Sequence, residues 1–104
     1  MPKVEGTYSH SMTKEEAVDA SKKAITKLFA SFEATDTSLV SDGEDNVGFS
    51  CLSRGMKISG KITVGEDEVK AVVDLPMMAF AFKGLVQAAI DKHIPQHLEL
   101  VENG

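Results

Sequence analysis

Three runs of alternating side chains in the middle of the chain leave few folds open. Val47, Phe49 and Cys51 alternate with Gly48 and Ser50; Met56, Ile58, Ile62 and Val64 alternate with Lys57, Ser59, Lys61 and Thr63. Val69, Ala71, Val73 and Leu75 then alternate with Glu68, Lys70, Val72 and Asp74. A period of two puts each apolar set on one side of a strand, so each strand has one face to bury and one to wet. The links Arg54-Gly55 and Gly65-Glu66-Asp67 are short and polar, and short links join antiparallel neighbours. The spacing predicts a meander with one apolar face, and that face needs a second layer to cover it.

Two amphipathic segments supply the cover. Thr13-Lys14-Glu15-Glu16 has the form of a capping box, with Glu15 and Glu16 suited to the positive end of a helix. Ala17, Ala20, Ala24, Leu28 and Phe32 follow at helical spacing, and Lys22, Lys23 and Lys27 fall mostly off that stripe, so a helix is expected over 13–33. After Pro76 the period changes again. Met78, Phe82, Leu85, Val86, Ala89 and Ile90 are expected on the buried face of a second helix, which Pro95 should stop or kink by removing an amide donor.

Two further strands complete the order: residues 3–10, with Val4 and Tyr8 on one face, and a short one at Leu39-Val40 before the turn Asp42-Gly43-Glu44-Asp45. The expected fold is α+β, a two-layer sandwich of an antiparallel meander sheet with both helices on one face, in the order β-α-β-β-β-β-α. That order resembles the TATA-binding-protein-like or reduced helix-grip topology. One domain is expected over 1–95, with 96–104 as a flexible C-terminal tail and one more turn carrying Leu98 and Val101.

Composition narrows the function classes. Eleven basic against sixteen acidic residues give a net charge of −5, which argues against a phosphate-backbone partner, so no nucleic acid is expected. The longest apolar stretch is far short of the ~18–20 residues that span a bilayer, so no transmembrane segment is expected. The start Met1-Pro2-Lys3-Val4 lacks a secretory pattern, and a single cysteine suits a reducing cytosol.

The chemistry-bearing residues each admit a plain structural role. His10-Ser11 lies at the first strand–helix junction, and a nucleophile and base need a third orienting group, so hydrogen bonding within that junction is expected. His93 and His97 are spaced for two metal ligands on a helix, but Pro95 lies between them and no third ligand of fitting spacing stands nearby. Cys51 sits on a buried phase and reads as a small hydrophobe. Gly55, Gly60 and Gly65 are spread along a hairpin and form no phosphate cradle. Lys57, Lys61 and Lys70 share the outward face without aromatics between them, as a solvated sheet surface does. Met77-Met78-Ala79-Phe80-Ala81-Phe82 is different. One sheet face cannot take six consecutive apolar residues, so Met77, Phe80 or Ala81 is expected in an exposed patch.

Three segments, in order, carry a resemblance: His10-Ser11-Met12 with Glu16-Ala17; Ser53-Arg54-Gly55-Met56-Lys57-Ile58-Ser59-Gly60-Lys61-Ile62-Thr63-Val64; and Val73-Asp74-Leu75-Pro76 with Phe82-Lys83-Gly84 and Ile90. Over roughly residues 8–94 the chain resembles the polyhydroxyalkanoic acid system proteins, small bacterial proteins linked with polyhydroxyalkanoate granule gene regions. The chain differs from that pattern in the acidic turn at 42–45 and in the tail after Pro95. The resemblance implies a cytoplasmic, granule-associated accessory protein without catalytic residues or cofactor. Its contact, through Met77, Phe80 and Ala81, would be with a protein partner, a second copy as a homodimer, or the polyester granule surface. The alternative is a carrier of a small apolar ligand, with a cleft between the last helix and the sheet lined by Phe49, Ile58, Val73 and Phe82; a cavity of ~300 Å³ or more is its signature.

Overall fold

The alternating runs pair as their periods require. In the computed structural model, which describes residues 3–102 and the side chains through Leu98, β3 (Asn46–Ser53), β4 (Met56–Val64) and β5 (Glu68–Asp74) form the expected antiparallel meander. Val47 lies opposite Ile62, Cys51 opposite Ile58, and Ile62 opposite Ala71, all on one buried face. Strand β1 (Lys3–Ser9) pairs with β5 and β2 (Thr35–Asp42) with β3, giving the order β1-β5-β4-β3-β2. Every pairing is antiparallel. The opposite face is wet, with Lys57, Lys61, Thr63 and Lys70 exposed on it.

Helix α1 (Lys14–Ser31) starts as its first residues specify. The Thr13 hydroxyl accepts from the Glu16 amide at 3.2 Å, and the Glu16 carboxylate accepts from the Thr13 amide at 3.1 Å. Thr13→Ala should therefore cost about 1 kcal/mol, a drop of roughly 4–8 °C in Tm for a domain near this size. An unchanged melting midpoint would show that the box contributes nothing. The helix ends without glycine. Glu33 takes the left-handed conformation (φ 51°), with its amide on the Ala30 carbonyl and the next amide, of Ala34, on the Phe29 carbonyl. The Ser53 hydroxyl donates to the Phe32 carbonyl at 2.9 Å and fastens that end to β3.

The second helical segment departs from expectation at both ends. After Pro76 the chain forms a short 3-10 helix, η1 (Met77–Phe82), before α2 (Lys83–Glu102) begins. With three residues per turn, Ala79 and Phe82 line up on the inner side, while Met78 is turned outward. Met78 and Leu85, expected in the core, are 76% and 61% exposed. Pro95 does not end α2. An interior proline costs about 3 kcal/mol or more, but continuing the helix past it buries Leu98 to 2% exposure, one turn beyond Ile94 at 1%. Burial of such a side chain offsets about 1.5–3 kcal/mol of that cost, and the helix runs on through the segment expected as a tail. Of that segment, the Val101 side chain and residues 103–104 lie outside the described residues.

Candidate contact surface

The candidate site grows from the end of the sheet where β5 delivers Pro76. The Pro76 carbonyl accepts from the Ala79 amide at 2.9 Å, which closes the first turn of η1 and plugs Ala79 into the core at 1% exposure. Six residues then have one small anchor, and the large side chains between are left outside. Met77 is 78% exposed and Phe80 67%; with Met78, Ala81 and Leu85 they make an apolar surface on one end of the sandwich. Sequence reasoning selected Met77, Phe80 and Ala81 and missed Met78 and Leu85. For Met78 the signal was the spacing of Pro76, Ala79 and Phe82, which marks a period of three; for Leu85 it was Val86, Ile90, Ile94 and Leu98, a spacing of four that leaves Leu85 beside the buried stripe.

The β3–β4 turn borders this surface. Arg54 and Gly55 both have positive φ, 54° and 77°, as a two-residue hairpin of primed type requires. Arg54 adopts that conformation at a steric cost that Gly55 escapes. Its guanidinium lies 5.4 Å from the centre of the half-buried Phe82 ring, within range of a cation–π contact. Lys83, also exposed, follows at the first position of α2.

Beneath the surface the layers are closely filled. A cavity of about 40 Å³ is lined by Phe82, Ile58, Phe32, Met56, Leu75 and Val86. A second, of about 20 Å³, is lined by Phe49, Ile58, Val73, Phe29 and Ile90. The four residues expected in a ligand cleft are thus brought together around two adjoining voids that share Ile58. These volumes are of the order that holds a water, well below the ~300 Å³ at which ligand pockets begin. Phe49 lies across Gly60, and Phe29 meets it edge to face at 6.4 Å between ring centres.

His10, Cys51 and Tyr8 are taken up by the fold. His10 Nδ1 accepts from the Met12 amide at 3.1 Å, so its Nε2 donates to the Gly65 carbonyl at 2.9 Å, tying the β1–α1 junction to the β4–β5 turn. Neither nitrogen is available to activate Ser11. Cys51 is buried, and burial pushes its thiol up, away from the reactive thiolate. The Tyr8 hydroxyl donates to Asp91 at 2.6 Å; burial and the neighbouring carboxylate push it well above the usual phenol range. Lys61 and Lys70 flank a shallow depression of the open sheet face with Thr63, Val72 and Asp74, and Lys57 stands apart from it. Among the described residues no group of three His, Cys, Asp or Glu side chains is placed to hold a metal, and no helix is long and apolar enough to cross a membrane.

A family model described as "Putative polyhydroxyalkanoic acid system protein" matches residues 5–98, reaching past Pro95 to the buried Leu98. No curated protein matches the chain. The crystal structure of a Thermus thermophilus protein aligns at 10% sequence identity with a TM-score of 0.38, covering 98% of this chain and 95% of that one.

Proposed function

The chain belongs to the polyhydroxyalkanoic acid system protein family, and from that membership we propose that it is a non-enzymatic accessory protein that works by contact, with η1 as the contact element. One observation carries the proposal. Met77, Met78 and Phe80 are each more than two-thirds exposed, side by side, on a domain whose interior is otherwise filled. An apolar surface of this kind lowers its free energy by removal from water, at about 25 cal/mol per Å² covered. Its cover is the polyester granule or a protein bound to it. The polyester is apolar between ester groups that only accept hydrogen bonds. The polar neighbours on hand, the Arg54 guanidinium and the Lys83 ammonium, only donate.

Fractionation of granule-producing cells tests this reading. The protein should travel with the granule layer and bring any granule-bound partner down with it. Recovery wholly in the supernatant of granule-rich cells would contradict it.

A further inference from the structure

The histidine pair near the C-terminus is left unused by the contact surface, and the course of α2 gives it another role. Because the helix runs through Pro95, His93 and His97 stay on one side of it, toward the last turns of α1. A depression of about 370 Å³ opens there between the helices, lined by Lys27 of α1 and by Lys92, His93, Gln96 and His97 of α2. All five side chains are able to donate hydrogen bonds, and none is a carboxylate. Lys27 and Lys92 make no salt bridge among the described residues.

The rings are held in place. The Ser31 hydroxyl lies 3.2 Å from His93 Nε2. His97 Nδ1 donates to the His93 carbonyl at 2.9 Å, because a carbonyl only accepts. That leaves His97 Nε2 as the free nitrogen of the ring. The groups facing His93 are Ser31 and Lys27 from α1 and Lys92 and His97 from its own helix. Asp91 is engaged elsewhere, with Tyr8 and Gln87. Partial burial, and then Lys92, His97 and Lys27, hold His93 below the usual imidazole range, as a cationic field without a counter-charge does.

We propose that this depression binds a phosphomonoester dianion, held between the two helices by the Lys27 and Lys92 ammonium groups, with His93 and His97 in its wall. Two permanent ammonium groups match its two negative charges, and its tetrahedral oxygens face several directions, as the donors of two helices do. A carboxylate has one charge and a planar pair of oxygens, which leaves an ammonium unmatched. The depression is larger than a phosphate group and accommodates part of whatever carries it. The site is independent of the contact surface on η1.

The test follows the histidine ring protons of the full chain by NMR at constant ionic strength. Titration with phenyl phosphate should give saturable shifts at His93 and His97 and raise the pH at which His93 protonates. Lys27→Met with Lys92→Met, checked for an unchanged circular dichroism spectrum, should weaken binding by about tenfold or more. Vesicles of phosphatidylcholine containing phosphatidic acid separate the two carriers of the group. Retention that the double variant abolishes assigns the site to a lipid headgroup, and no retention beside a phenyl phosphate response assigns it to a soluble ester. If neither probe binds saturably, or if the double variant binds as well as wild type, the proposal is overturned.

Discussion

Ile62→Ala should destabilise the protein by about 2–5 kcal/mol, while Thr63→Ala, one residue along, should change it by no more than about 0.5–1 kcal/mol. Ile62 is fully buried, opposite Val47 on one side and Ala71 on the other, at the centre of the face that the helices cover. Removing its outer atoms forfeits their transfer energy and leaves a cavity that close packing fills only in part. Thr63 points the other way and is exposed; its hydroxyl donates to Asn46 across the strand pair at 3.0 Å, an exchange that water largely makes good. Denaturant midpoints of the two variants measure the contrast. Equal effects would mean that the register is wrong by one residue, since a one-residue slip exchanges the two faces.

Gly60→Ala should cost about 1–3 kcal/mol by overpacking, although alanine is ordinarily no worse than glycine in a strand. The reason is a close approach. A β-carbon on Gly60 would meet the Phe49 ring and come within 2.6 Å of the Val72 carbonyl oxygen, which belongs to the neighbouring strand and cannot swing aside. The ring has some freedom, but moving it disturbs the edge-to-face contact with Phe29. The glycine thus lets an aromatic lie flat on the sheet and fill the space where a carrier would keep a cleft. A Gly60→Ala protein as stable as wild type in chemical denaturation would contradict that packing.

What was legible in the sequence had a local cause. β3, β4 and β5 announced themselves because a buried face imposes a period of two, and Thr13 with Glu16 marked the start of α1 because unpaired amides need acceptors. β2 extends well beyond Leu39-Val40. All eight of its side chains are exposed, so it carries no apolar period; its pairing with β3 makes it a strand. Helix α2 passes Pro95 because part of what offsets the proline comes from Leu98 packing into the core, a tertiary gain that the local sequence does not show. The candidate site was half legible. An excess of apolar residues after Pro76 was visible, but six such residues fit a 3-10 helix as well as an α-helix. The choice between the two decides whether Met78 is core or surface. Phe49, Ile58, Val73 and Phe82 line two small adjoining voids, and the size of a void depends on rotamers and helix distance, which no spacing encodes.

The central claim, that η1 is a contact surface and not core, meets its most direct test in Phe80→Ser. The fraction of this variant bound to granules is measured beside that of the wild type, with both melting midpoints recorded. Phe80 is 67% exposed and lends little to the core, so the midpoint should stay within the range of ordinary surface changes, about 0.5 kcal/mol. The granule-bound fraction should fall severalfold, because the apolar area that leaves water on contact is reduced. A variant that binds granules as the wild type does, or one that unfolds with no separable loss of binding, would contradict the account.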